Sequence, residues 1–153
     1  EKDTYISLDM FKDKEEMSLY QSKKLSKDLN LHTHIMEVVK PFTTRMTCHP
    51  QTYVSLFKGY HMVPVSQGTH DLNLVIVLSG SCILYLINPK HENEIQGKSN
   101  HQLKKWSHKI VLKPNSILSI PPQWFYLYEC KGEVVISEYH SDTYGTYLYN
   151  SIR

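Results

Sequence analysis

Residues 110–129 read IVLKPNSILSIPPQWFYLYE. Apolar residues at 110–112 precede Lys113 and Pro114, and a second, mostly apolar run begins after Ser116 and stops at Pro121, as in short strands separated by tight turns. Asn115 lies at the centre of the first turn, and asparagine tolerates the left-handed backbone conformation that glycine usually adopts. The stretch therefore predicts strands at 109–112, 116–120 and 124–129.

The aromatic end of this stretch predicts a strand with two different faces. Side chains alternate across a strand, so Trp124, Tyr126 and Tyr128 share one face while Phe125 and Leu127 share the other. We expect the Trp124 face to fill the interior of the fold, as side chains do in a small barrel. The alternative is an apolar cleft, lined by the same rings, that binds a small ligand.

A second β-rich block lies upstream and reads LNLVIVLSGSCILYLINP over residues 72–89. It predicts strands at 72–78 and 82–87, joined by a hairpin turn in which Gly80 can take a positive φ. Residues 88–107 are polar and are expected to form an exposed loop. The remaining predicted strands cover residues 34–39, 53–57, 61–65 and 134–139.

The N-terminal part of the chain has a different pattern. Residues 13–29 carry apolar residues at helical intervals, and Asp13 and Glu16 are spaced as a capping box. We therefore predict one amphipathic helix in an N-terminal extension, residues 1–30, followed by an all-β domain over residues 31–153.

The two β-rich blocks together resemble the cupin-like and JmjC-like proteins. In that family a Pro-Gly-Asp turn precedes the segment I-P-P-x-W-W-H, and here Pro114-Asn115-Ser116 precedes IPPQWFY at residues 120–126. The resemblance covers roughly residues 62–139 and implies a double-stranded β-helix, the cupin-like jelly roll. A narrower resemblance, to the cupin-like proteins of large DNA viruses, comes from YGTYLYN at residues 144–150. It implies a viral protein that serves as a virion or assembly component.

The residues needed for the family's oxygenase chemistry are replaced in this sequence. The resemblance implies Fe(II) held by a His-x-Asp pair and a distant His, with a lysine for 2-oxoglutarate. Tyr126 stands at the distant His position, His70 and Asp71 are adjacent rather than separated by one residue, and Cys82 stands near the lysine position. We therefore expect a protein that is not an enzyme and has no cofactor.

Two alternatives of a different class remain open at this point. The first is a metal-dependent oxygenase or isomerase with an unorthodox site, because a His-x-His pair on a strand places both imidazoles on one face. Its candidate ligands are His32, His34, Glu37, His70 and His140. The second is a small-ligand binding module that uses the aromatic cleft.

Composition and charge narrow the choice of partners and compartment. The chain of 153 residues has a formal net charge of +2, and its lysines form no dense basic stripe, so a nucleic-acid surface is not indicated. The longest apolar run is far too short to span a bilayer, and no membrane partner is expected. Three cysteines without a CxxC pair favour reduced thiols and a cytoplasmic location, and the viral resemblance implies the virion as the alternative.

Tyrosines are the strongest indication of how such a protein could work. The sequence has 11 of them, and several lie beyond the predicted last strand, where half-buried aromatic side chains often form interfaces. We therefore expect self-association or binding to a protein partner. The predicted interaction residues are Trp124, Tyr126, Tyr128, Tyr144, Tyr147 and Tyr149.

Overall fold

The computed structural model describes residues 15–152. In this range the strands are β1 (Met17–Ser22), β2 (Thr47–Lys58), β3 (Tyr60–Met62), β4 (Ser66–Gln67), β5 (Leu72–Ser79), β6 (Cys82–Ile87), β7 (Ser107–Leu112), β8 (Ile117–Ile120), β9 (Phe125–Lys131) and β10 (Val134–Thr143). The α-helices are α1 (Lys23–Asp28), α2 (Leu31–Val39), α3 (Glu92–Ile95), α4 (Asn100–Leu103) and α5 (Tyr144–Ile152). Short 3₁₀ turns cover Lys40–Phe42, Pro89–His91 and Lys104–Trp106.

Two antiparallel sheets form the body of the protein. Both have five strands: the larger sheet, by number of residues, has the order β1-β2-β10-β5-β8, and the smaller sheet has the order β3-β9-β6-β7 with β4 also paired to β9. After β2 the chain passes back and forth between the sheets, so that sequence neighbours often lie in opposite layers. This interleaving is the arrangement of a jelly roll. The predicted all-β, cupin-like double-stranded β-helix is confirmed.

The turns predicted from glycine and asparagine are present. Gly80 connects β5 to β6 with φ +73°, and a Cβ there would collide with the carbonyl oxygen of Glu133. Asn115 has φ +66°, and its backbone N–H donates to the carbonyl of Val77 at 2.8 Å. Both turns therefore pack against neighbouring backbone, which explains why residues that tolerate positive φ occupy them.

The helix predicted over residues 13–29 is correct only in its last part. Asp13 lies outside the described residues, whereas Met17–Ser22 forms β1 and pairs with the edge of β2. Gln21 then adopts φ +48°, and the Ser22 hydroxyl accepts a hydrogen bond from Leu25 N–H to begin α1. The unpaired backbone of β2 offers hydrogen bonds that a local helical pattern does not reveal. The boundary predicted at residue 30 stays a prediction.

The strand predicted at residues 34–39 is wrong, because this segment lies in α2. Ile35 and Val39 are four residues apart, and both are buried against Leu74, Ile76 and Tyr139 on the outer face of the larger sheet. An apolar pair at this spacing lies on one face of a helix. The helix thus covers a sheet face that would otherwise be exposed.

The expected exposed loop at residues 88–107 is also partly wrong. Its short helices bury Ile95 and Leu103 against Leu127 on the outer face of the smaller sheet. Ile95 and Leu103 are isolated apolar residues in a polar segment, so the sequence shows no apolar periodicity that would predict these helices. None of the helices in residues 15–152 is long and apolar enough to cross a membrane.

Candidate functional site

A buried carboxylate lies in the space between the two sheets. Glu138 belongs to β10, the central strand of the larger sheet, and is only 1% exposed. One of its oxygens, Oε2, accepts a hydrogen bond from Gln21 Nε2 at 2.7 Å, and Oε1 accepts one from the Tyr128 hydroxyl at 2.9 Å. Both oxygens are thus paired, as a buried carboxylate requires.

Three tyrosines surround this carboxylate. The Tyr126 and Tyr128 rings meet edge to face with centroids 5.7 Å apart, and the Tyr20 hydroxyl lies 3.3 Å from Ser66 Oγ. Burial, followed by the negative charge of Glu138, raises the pKa of Tyr20 to about 12. The same two causes also raise the pKa of Tyr126 and of Tyr128 above the ordinary value for a phenol. All three phenols are therefore neutral near pH 7.

The position of these rings confirms the alternation predicted for β9. Tyr126 and Tyr128 belong to the main core cluster, Trp124 is half-buried against it, and Leu127 packs on the opposite face. The interior is thus occupied by the protein's own side chains. Because Tyr126 and Tyr128 are 2% and 1% exposed, the prediction that they contact a partner is wrong.

The residues at this site do not fit the Fe(II) centre of the JmjC-like enzymes. Iron in those sites needs three protein donors with open positions beside them. Tyr126 offers a neutral phenol where the family has an imidazole, and both Glu138 oxygens already accept hydrogen bonds. Within residues 15–152, no three His, Cys, Asp or Glu side chains are grouped closely enough to hold a metal ion.

The alternative ligand set is not brought together either. His32, His34 and Glu37 lie on α2 rather than on a strand, and residues two apart on a helix point in nearly opposite directions. His34 and Glu37 are exposed, whereas His32 Nδ1 lies 2.9 Å from Thr52 Oγ1. The predicted His-x-His face is therefore wrong.

His70 and His140 do meet, but they pair with carboxylates instead of forming a metal site. Their rings stack with centroids 5.0 Å apart. His70 Nδ1 lies 2.9 Å from Asp142 Oδ2, and His140 Nε2 lies 3.5 Å from Glu138 Oε2. A polar path thus runs from the Glu138 carboxylate to the end of β10.

At that end, Asp71 fastens the start of the C-terminal helix. Its carboxylate accepts hydrogen bonds from the Thr143 N–H and hydroxyl, each at 2.7 Å, and from the Thr146 hydroxyl at 3.0 Å. Burial alone would raise the pKa of Asp71, but these hydrogen bonds and the nearby His70 outweigh it and lower that pKa. The carboxylate therefore remains charged and holds the first turn of α5.

Helix α5 exposes most of its apolar side chains. Its tyrosines and aliphatic residues have exposed fractions of 56% for Tyr144, 38% for Tyr147, 59% for Leu148, 60% for Tyr149 and 86% for Ile152. The Tyr147 ring contacts the His49 ring, with centroids 4.9 Å apart. Residues 144–152 carry no charged side chain. The sequence predicted an aromatic tail here, and the structure shows a helix with an uncharged, exposed surface.

The two interleaved antiparallel sheets, packed around an interior that includes tyrosines and the Glu138 carboxylate, have the cupin-like jelly-roll fold. Neither a known protein family nor a curated protein matches the sequence. Among solved structures, the Drosophila melanogaster CENP-C cupin domain bound to CAL1 is 13% identical, with a TM-score of 0.42, and the match covers 63% of this chain and 60% of that one. The present chain thus spans about three fifths of that protein.

Two further solved structures are similar in the same way. The Schizosaccharomyces pombe Cnp3 cupin domain is 12% identical, with a TM-score of 0.47, over 90% of this chain and 69% of that one. An RmlC-like cupin from Shewanella frigidimarina is 11% identical, with a TM-score of 0.45, over 64% and 70% of the two chains.

Addition of Fe(II) under anaerobic conditions, with or without 2-oxoglutarate, is expected to leave the melting temperature unchanged. A ligand at a hundredfold excess over its Kd stabilises a protein by about 2.7 kcal/mol, which a melting curve detects readily. Tyr126→Phe, which lacks the phenol oxygen, serves as the control and should respond like the parent. If Fe(II) raises the melting temperature of the parent but not of Tyr126→Phe, Tyr126 binds the metal. That result would contradict the conclusion that these residues do not fit an Fe(II) centre.

Proposed function

We propose that this chain is a non-catalytic cupin-like protein that functions by association through α5. The observation that carries the proposal is the exposed apolar surface formed by Tyr144, Leu148, Tyr149 and Ile152 on a helix without charge. Tyrosine and aliphatic side chains on such a surface bury large areas at low entropic cost when a partner covers them. The catalytic alternative has no comparable support, since each oxygen of the interior Glu138 carboxylate accepts a hydrogen bond, one from Gln21 and one from Tyr128.

A second copy of the same chain is the partner that fits α5 most simply. In a two-fold contact the same patch meets itself, so a charged patch would repel its copy, whereas an uncharged helix does not. The small formal net charge of +2 adds little general repulsion between copies. A virion or assembly role, as the viral resemblance implies, would repeat this contact within a larger shell.

Deletion of residues 144–153 is expected to abolish self-association while leaving the fold intact. The deleted segment has no buried side chain among its described residues, so the core should lose little. Sedimentation analysis of both proteins over a range of concentrations measures the association, and circular dichroism checks the fold. A full-length protein that remains monomeric at the highest concentration would overturn the proposal.

A pair of point variants distinguishes association through α5 from non-specific association through any exposed apolar side chain. Leu148 and Val111 are almost equally exposed, at 59% and 58%, but Val111 lies on β7 of the smaller sheet. Leu148→Asp should weaken association, because it places an unpaired charge in the contact, whereas Val111→Asp should not. Equal loss in both variants would show that the contact is not made by α5.

A further inference from the structure

A second candidate site lies in the smaller sheet and involves two cysteines. Cys82 on β6 and Cys130 on β9 are directly opposite each other in the register of these antiparallel strands. Residues paired in this way lie on the same face of the sheet. Both belong to the main core cluster, with exposed fractions of 2% and 0%, and neither forms a disulfide. The fold thus brings together two thiols that are far apart in the sequence.

The backbone hydrogen bonds of β9 show which kind of antiparallel pair the two cysteines form. Two residues before Cys130, the Tyr128 carbonyl accepts a hydrogen bond from Val63 N–H, and two residues after it the Gly132 N–H donates to the Gly59 carbonyl, each at 2.9 Å. Because hydrogen-bonded pairs recur at every second residue of a strand, Cys130 directs its own N–H and C=O towards β3. Its pair with β6 is therefore of the non-hydrogen-bonded kind.

This kind of pair has the dimensions that a disulfide requires. Opposite Cα atoms in a non-hydrogen-bonded pair are about 4.5 Å apart, and their side chains are closer than in a hydrogen-bonded pair. Disulfides join residues whose Cα atoms are roughly 4.4–6.8 Å apart. A bond between Cys82 and Cys130 therefore requires no rearrangement of β6 and β9.

The two thiols lie just inside the surface, at one end of the sheet. Cys82 is the first residue of β6 and follows Ser81, whereas Cys130 precedes Lys131 and Gly132. These three flanking residues are exposed. Turns and sheet ends open locally at a much lower free energy than the whole domain. A small oxidant therefore needs only such an opening to reach the sulfur atoms.

A hydrogen bond between the two thiols makes them chemically unequal. It lowers the pKa of Cys82 below its ordinary value and outweighs the burial of that residue, which acts in the opposite direction. The same hydrogen bond, followed by burial, raises the pKa of Cys130. Because the thiolate is the nucleophilic form of cysteine, Cys82 is the thiol that attacks an oxidant first.

We propose that Cys82 and Cys130 form a site of reversible oxidation by peroxides. The Cys82 sulfur attacks hydrogen peroxide, the O–O bond breaks, and one oxygen stays on Cys82 as a sulfenic acid while the other takes up the thiol proton and leaves as water. The Cys130 sulfur then attacks the Cys82 sulfur, the S–O bond breaks, and the oxygen leaves with the second thiol proton as another water. Two thiols are thus oxidised to one disulfide and one peroxide is reduced to two waters. A dithiol reverses the reaction by exchange.

Mass spectrometry of the full chain, first reduced and then treated with hydrogen peroxide, tests the proposal. We expect a loss of about 2 Da, the mass of two hydrogen atoms, a peptide that links Cys82 to Cys130, and recovery of the starting mass with dithiothreitol. Cys48→Ser removes the third cysteine, on β2, and should behave like the parent. In Cys130→Ala the link is lost, and dimedone, a reagent for sulfenic acids, should label Cys82. A parent whose Cys82 and Cys130 remain thiols at peroxide concentrations that oxidise Cys48 would overturn the proposal.

The melting temperature gives a second readout on the parent protein itself. The disulfide closes a long loop, residues 82–130, and restricts the unfolded chain, so the oxidised protein should melt roughly 10 °C higher than the reduced one. Peroxide should not raise the melting temperature of Cys130→Ala. An oxidised parent that contains the link but melts below the reduced protein would show that the disulfide distorts the native sheet, and the proposal would then be wrong.

Discussion

Tyr128→Ala is expected to lower the free energy of unfolding by about 3–5 kcal/mol, the usual cost of removing a large buried aromatic side chain. Tyr128 is 1% exposed, and its ring contacts that of Tyr126 in the centre of the core. The change also deprives the buried Glu138 carboxylate of a hydrogen-bond donor. Urea denaturation followed by circular dichroism measures the loss.

Three further variants resolve the causes of this destabilisation. Tyr128→Phe keeps the ring and removes only the hydroxyl, and we expect a cost of roughly 1–3 kcal/mol, typical of an unpaired buried group. Trp124→Ala should cost less than Tyr128→Ala, because Trp124 is half-buried and not enclosed as the sequence suggested. Tyr144→Ala, at a 56% exposed position, should change stability little. A Tyr128→Ala variant as stable as Tyr144→Ala would refute the assigned core.

Stability at acidic pH is expected to depend strongly on Glu129. Its carboxylate accepts hydrogen bonds from Lys104 Nζ and from the Tyr85 hydroxyl, both at 2.7 Å. The Lys104 hydrogen bond, followed by that of Tyr85, lowers the pKa of Glu129 from its ordinary value of 4.5 to about 2. A lowered pKa in the folded state stabilises the protein fully above the ordinary pKa, and the contribution is lost as pH falls towards the folded-state pKa.

The lost contribution should amount to about 3 kcal/mol between pH 5 and pH 2, because one pKa unit corresponds to roughly 1.4 kcal/mol. Urea unfolding midpoints over this pH range measure it. Glu129→Gln should be less stable than the parent at pH 7 and should lose less stability on acidification. Glu133→Gln is the matched control, since the Glu133 side chain is 69% exposed. If both variants follow the parent's pH profile, Glu129 is not the group responsible.

The predictable part of the fold is the part that depends on local patterns. The strand at residues 82–87 was predicted with the bounds that β6 has, and the Gly80 and Asn115 turns follow from backbone preferences of single residues. Met17–Ser22 was assigned to a helix because its hydrogen-bond partner, the edge of β2, lies some forty residues further along the chain. Only tertiary pairing distinguishes the two structures there.

Only one feature of the candidate site could be predicted from the sequence, namely the absence of the iron-binding histidine. Tyr126 marks the missing imidazole within a continuous motif, so the loss of the iron site could be inferred from the resemblance. Glu138 was overlooked although one signal was available, since a charged residue shares the inward face of a strand with Val134 and Ile136. Its partner Gln21 is separated from it by 117 positions, and no sequence pattern connects them.

The central place of β10 has a consequence for how the protein is made. β10 separates β2 from β5 in the larger sheet, and its register pairs Val134 with Phe57 and Thr143 with Thr47. During synthesis, β2 and β5 therefore each have one edge without backbone hydrogen bonds until residue 143 leaves the ribosome. Such long-range pairing makes folding slow, on the order of milliseconds to seconds, and leaves strand edges open to aggregation meanwhile. The nascent chain should consequently depend on chaperones more than a helical protein of equal length would.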